Sequence, residues 1–312
     1  MQIFPSHGGF PPGGLFLAPD GRLRPFWRFV LGAAVFVAAN IAGAILSSPF
    51  REIHAELFYR LFTTLALLAG FSGMLYLFDR WRSQFLAAMG LGRDGPWLRQ
   101  CCVGAALGAG MVALAVLAIA ILGSVEFRWI AGGHTPGALA GLLALQFAVL
   151  AIAAMLEEVA FRGYPFQRLV ESVGPAWALI ILNGLFGAVH LGNPHASSWG
   201  FLNTVAIGIV LGVAYLRTRA LWLPWGIHFG WNATLGVAFG LPVSGTLQFQ
   251  TVIAGVAEGP LWLTGGGYGI EASATGAVVI LLGLAGVVAL TPHPPASDQT
   301  VTSPAEPSSI LS

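Results

Sequence analysis

Lysine is absent from this 312-residue chain, and charged residues make up only 9% of it, against about 25% in a typical soluble domain. That scarcity excludes an ordinary water-soluble fold. The basic residues are all arginine and are scattered, and the formal net charge is only +1, so no concentrated basic patch exists to grip phosphates. Nucleic acid is excluded as a partner. Cysteine is nearly missing too: Cys101 and Cys102 are adjacent, which suits neither an ordinary disulfide nor a metal site, and both are expected to be small buried side chains. Residues 1–21 are Gly/Pro-rich without the apolar core of a cleaved signal peptide. No repeat of fixed period is visible, which argues against the inverted-repeat transporters.

What is present is apolar. Hydrophobic residues make up 56% of the chain, as expected of a polytopic membrane protein. A bilayer needs about 20 apolar residues per helix. Eight segments qualify, near 27–48, 57–78, 98–122, 138–168, 176–192, 199–217, 221–241 and 273–291. The predicted fold is an all-α membrane bundle, a single domain over 25–291, with a flexible segment over 1–24 and a disordered Pro/Ser/Thr-rich tail over 292–312. Arginines cluster in the connectors on the side of the N-terminus, so the positive-inside rule places both termini in the cytoplasm. The Arg-only, Gly/Ala-rich composition looks bacterial, which places the chain in the inner membrane. Residues 241–273, apolar but broken by glycine, read either as an interfacial loop that caps the bundle, with Trp262 at headgroup level, or as a simple surface loop.

Polar residues that interrupt the apolar runs are then informative. Glu157 and Glu158 sit side by side within 145–161, where each carboxylate at mid-helix costs roughly 2.5–3.5 kcal/mol. Counting 1.5 Å per residue, Glu157 lies roughly 15–20 Å and His190 about 24 Å from the connector at 168–174. His228 and Asn232 lie roughly 13 Å and about 20 Å from Arg219 by the same count. One slab of the membrane holds all four, so a shared polar cavity between the fourth, fifth and seventh spans is expected. Glu158 and Arg162 are four apart and face together, as do His228 and Asn232. Two neighbouring carboxyls resist ionising together unless a cation is near, and Arg162 is the natural counter-ion of Glu158. Glu157 is then free to act with His190 as base on a trapped water, while His228 and Asn232 donate to an oxygen turning negative. That chemistry is hydrolysis of an amide bond inside the membrane.

The strings Glu157-Glu158-Val159-Ala160-Phe161-Arg162, Phe186-Gly187-Ala188-Val189-His190 and His228-Phe229-Gly230-Trp231-Asn232 resemble, in order, the EExxxR, FxxxH and HxxxN motifs of the CAAX prenyl protease and bacteriocin-processing family of intramembrane endopeptidases. The motifs span roughly 139 to 240, and 259–266 also looks like bacterial members. The resemblance implies eight spans, a water activated by Glu157 and His190, and an oxyanion site from His228 and Asn232. Members are described both as metalloproteases and as metal-free glutamate proteases. Glu157, His190 and His228 are the ligands zinc would need, but the HExxH spacing of a familiar zinc helix is missing, so no cofactor is the preferred reading and zinc stays open.

Duller roles compete at several positions. Arg162 could snorkel to the inner interface, Glu158 could only neutralise it, and Phe186 packs or shapes the pocket wall. Gly184 and Gly187 would allow close helix approach, and Gln146 and Asn183 would bond between helices. His54, His134, His195, His7 and His293 read as surface residues. Two other function classes remain: a proton-coupled transporter, which would also bury Glu, His and Arg, and a non-catalytic immunity or scaffold protein. Expected partners are membrane lipid and a peptide or membrane-protein substrate, lipidated or not.

Overall fold

The computed structural model describes residues 14–78, 85–247, 249 and 252–291, except the side chains of 51–57 and 85. The rest of both tails, with His7 and His293, and the side chain of His54 lie outside the described residues. The architecture is helical: α1 (Pro25–Ser47), α2 (Arg51–Phe78), a short α3 (Phe85–Ala88), α4 (Trp97–Leu122), α5 (Pro136–Arg162), α6 (Tyr164–Val173), α7 (Pro175–His190), α8 (Ser198–Thr218), α9 (Trp222–Ala233), a short α10 (Leu261–Thr264) and α11 (Ala274–Leu290). Each expected span has a helical counterpart, and among the described residues five helices are long and apolar enough to cross a bilayer. The chain is an integral membrane protein with an all-α bundle.

Three local departures matter for the site. The fourth expected span breaks at Gly163: a Cβ there would lie 2.4 Å from the Val159 carbonyl, and Pro165 opens α6. The fifth stops at His190, so that side chain sits at a helix terminus. In the seventh, α9 has 12 residues and continues as a π turn over Thr234–Ala238. Residues 14–24 make local contacts at the start of α1, with Trp27 Nε1 donating to the Leu15 carbonyl at 3.0 Å.

Cysteine placement corrects the sequence expectation. Cys101 is half-buried and Cys102 exposed on the outer surface of α4. The seam of α4 is instead made by glycine. At Gly108 a Cβ would lie 2.2 Å from the Ile227 carbonyl, and at Gly230 it would lie 2.3 Å from the Ala105 carbonyl. Small residues let these two backbones touch, which holds α9 against α4 with His228 turned the other way. Between α7 and α8 the approach rests on Gly187, where a Cβ would meet Val205 at 2.7 Å, whereas Gly184 faces open space.

The described residues of 241–273 form a cap with structure of their own. Strand β2 (Ile253–Glu258) pairs antiparallel with β1 (Ser124–Trp129), from Ser124 opposite Glu258 to Trp129 opposite Ile253. This small sheet was not legible in an otherwise helical pattern. Trp262 is 58% exposed, consistent with a place at the headgroup level.

Candidate active site

Helix α5 starts at a Thr135 cap that accepts from Ala138 N–H at 3.3 Å and runs down to the Gly163 break. Its last turns place Glu158 and Arg162 fully inside the bundle, at 0% and 1% exposure. Arg162 therefore does not snorkel. Its Nη1 bonds Glu158 Oε1 at 3.2 Å, and its Nη2 bonds Asn183 Oδ1 at 2.9 Å and the Gly208 carbonyl at 3.1 Å. The guanidinium also lies 4.7 Å above the Phe186 ring. Gly208 permits this approach, because a Cβ there would stand 2.5 Å from Asn183 Oδ1.

The same Glu158 oxygen takes a second donor, His228 Nδ1 at 2.8 Å. A carboxylate only accepts, so Nδ1 carries the hydrogen and Nε2 is the nitrogen presented to the cavity. His190 is fixed likewise: its Nδ1 lies 2.8 Å from the Phe186 carbonyl, which again puts the hydrogen on Nδ1 and leaves Nε2 facing inward. Both Nε2 atoms converge on Glu157 Oε2, His228 at 3.6 Å and His190 at 4.0 Å. Oε2 is buried and makes no direct hydrogen bond. On its other side, Arg60 Nη1 stands 4.0 Å from Glu157 Oε1.

Around these groups lies a cavity of about 260 Å³ walled by Asn40, Tyr59, Phe161 and Asn232 and roofed by Val243, Thr246 and Phe249 of the cap. A second cavity of about 40 Å³ continues inward past His190, His228 and Asn232 to Asn203, Thr204 and Glu271. Phe186 forms part of that inner wall, its ring edge-on to His190 at 4.5 Å. All seven residues singled out from the sequence thus meet in one place.

Four more were missed. Arg60 lies at the start of the second expected span, and Tyr59 stands beside it, donating to Asn40 Oδ1 at 2.7 Å. Glu271 was hidden in the glycine-rich segment, although an acid amid apolar residues is the signal that revealed Glu157. Burial pushes its carboxyl above the usual range, while the Ser244 N–H and the Trp231 indole pull it back. Ser244, in a turn of the cap, carried no signal at all. Gln146, by contrast, is outside the walls of both cavities, with Oε1 buried and unbonded. His134 and His195 are exposed.

Residues 139–234 match the family model described as Rce1-like, type II CAAX prenyl endopeptidase. Over that segment the chain resembles this family of proteases. The match begins in α5 and ends just after Asn232, so it contains all three motifs and the helices that present them. A protease family implies a peptide substrate met in a lipid environment. Searches of curated proteins and of solved structures give no match.

Zinc can be weighed against the donors. Tetrahedral zinc with bonds near 2.0–2.2 Å sets its ligand atoms about 3.4 Å apart. Glu157 Oε2 is 4.0 Å from His190 Nε2, and among the described residues no three His, Cys, Asp or Glu side chains converge tightly enough for a metal ion. With His228 Nε2 at 3.6 Å and His190 Nε2 at 4.0 Å from Glu157 Oε2, these donors are spread wider than a zinc ion would hold them.

Proposed function

We propose that this protein is an intramembrane endopeptidase in which Glu157 and His190 activate a water and His228 and Asn232 receive the oxyanion, without a metal. The observation that carries it is the buried Glu157 Oε2, flanked by two imidazole Nε2 atoms at 3.6 and 4.0 Å. Those gaps are too long for direct hydrogen bonds and suit one oxygen shared among them. A water there gives a proton to Glu157 as its oxygen attacks the peptide carbonyl carbon. The carbonyl oxygen becomes negative and is met by the Asn232 amide and by His228 in its imidazolium form, with Nδ1–H on Glu158 and Nε2–H toward the substrate. Collapse breaks the C–N bond, and the proton held by Glu157 passes to the leaving amine. Glu158 fixes the ring of His228, and Arg162 fixes Glu158.

The substrate is a peptide or membrane-protein segment, prenylated or not. In nanodiscs, purified protein cleaves a panel of quenched-fluorescent hydrophobic peptides, one of them farnesylated, and Glu157→Gln lowers the rate by about 10²- to 10⁴-fold, the usual contribution of a general base. Cleavage that Glu157→Gln leaves intact sinks this mechanism. Chelator leaves the rate unchanged, and loss of activity restored by zinc reverses the metal-free reading. The same discs rebuilt as liposomes show no substrate uptake, which a transporter would require.

A further inference from the structure

We propose that Glu271 is a positioning residue for this site, tying the cap to the third-motif helix so that the oxyanion donors hold one place. The inference rests on the proteolytic reading. Glu271 occupies a single 3₁₀ turn, Ile270–Ala272, just before α11. Its Oε1 accepts from Trp231 Nε1 at 3.0 Å, and its Oε2 accepts from the backbone N–H of Ser244. Both oxygens are thereby given to protein donors, which leaves the carboxylate suited to holding parts in place.

What it holds is specific. Trp231 directly precedes Asn232, is 4% exposed, and its indole N–H can only donate, so burial obliges it to find an acceptor. Ser244 lines both cavities, beside His190, His228 and Asn232. Its φ is +47°, in the left-handed region that an ordinary side chain avoids, and Gly245 follows at +85°. Such a turn persists only where its surroundings impose it. Two ties impose it here, from Glu271 to Ser244 N–H and from the Tyr268 carbonyl to Gly245 N–H at 3.0 Å. Without the first, the Ser244 N–H is an unpaired donor and the wall next to Asn232 is free to move.

Glutamine is the discriminating substitution. It keeps the size of Glu271 but has one oxygen for two donors, and sets an NH₂ group against an N–H. With a peptide that the unmodified protein cleaves in nanodiscs, Glu271→Gln lowers kcat at least tenfold, with KM within twofold and an unchanged Tm. Trp231→Phe, which removes one donor and keeps the packing, lowers kcat in the same sense. The double variant is no worse than Glu271→Gln alone, because both break one linkage. Hydrogen exchange over 241–247 quickens in Glu271→Gln. Wild-type kcat in Glu271→Gln, losses that multiply in the double variant, or unchanged exchange overturns the proposal while cleavage by the unmodified protein leaves the proteolytic reading standing. No cleavage by the unmodified protein overturns both.

Discussion

Glu157 and Glu158 are neighbours in sequence with opposite circumstances. Each keeps one unbonded oxygen, but Glu158 is sealed between Arg162 and His228, which both bond its Oε1, while Glu157 faces a cavity with its Oε2 toward two imidazoles. The division follows from the roughly 100° step between successive helical residues, which sends one carboxylate to the bundle interior and the other to the cavity. Removing Arg162 as Arg162→Met strands a buried carboxylate, a loss of about 3–5 kcal/mol. That variant is expected to express poorly and unfold early in a thermal scan. Asn232→Ala keeps the fold and lowers kcat by about 10²- to 10³-fold, the cost of one oxyanion donor. Gly208→Ala lies between these, since its methyl group would press on Asn183 Oδ1 and lie 3.1 Å from Arg162 Nη2. Reduced cleavage with a lowered Tm is the expected reading. An unaffected Gly208→Ala would show that Arg162 does not need that close approach.

At the scale of elements, α9 is positioned by what it lacks. Gly226 and Gly230 lie against Gly104 and Ala105 of α4, and Trp225 Nε1 reaches across to the Ala151 carbonyl of α5 at 2.9 Å. His228 is thus fixed from one side by backbone contact and from the other by Glu158. Gly230→Val forces that seam apart and should cost about 1–3 kcal/mol or more by overpacking, with cleavage lost alongside. Gly110→Val is the control, because a Cβ there meets open space. Thermal unfolding in detergent separates the two. Equal stability of both variants would remove the glycine seam as the reason α9 sits where it does.

At the scale of the whole molecule, the cavity is roofed by residues that follow the C-terminal ends of α7 and α9, on the side of the β1–β2 sheet. Under the positive-inside expectation of cytoplasmic termini, that roof faces outward and a peptide would reach Glu157 from the outer side. In a background of Cys101→Ala and Cys102→Ala, a membrane-impermeant maleimide applied to intact cells therefore labels Trp129→Cys and spares Trp177→Cys, both native side chains being exposed at 67% and 62%. The reverse pattern would turn the molecule over and open the cavity to the cytoplasm, where a prenylated protein tail would meet it.

The sequence alone determined the class and the approximate spans and predicted one shared level for Glu157, His190, His228 and Asn232, because hydrocarbon punishes polar groups and helical rise converts residue number into distance along the span. Order along one helix likewise made the Glu158–Arg162 pair legible. Only tertiary structure decided which oxygen of which glutamate stays open, that Glu158 holds His228 as well as Arg162, and that Arg60, Ser244 and Glu271 join the site. Those facts depend on contacts between residues distant in sequence, whose approach is set by glycine seams, a helix break and a left-handed turn. None of these leaves a periodic trace in the chain.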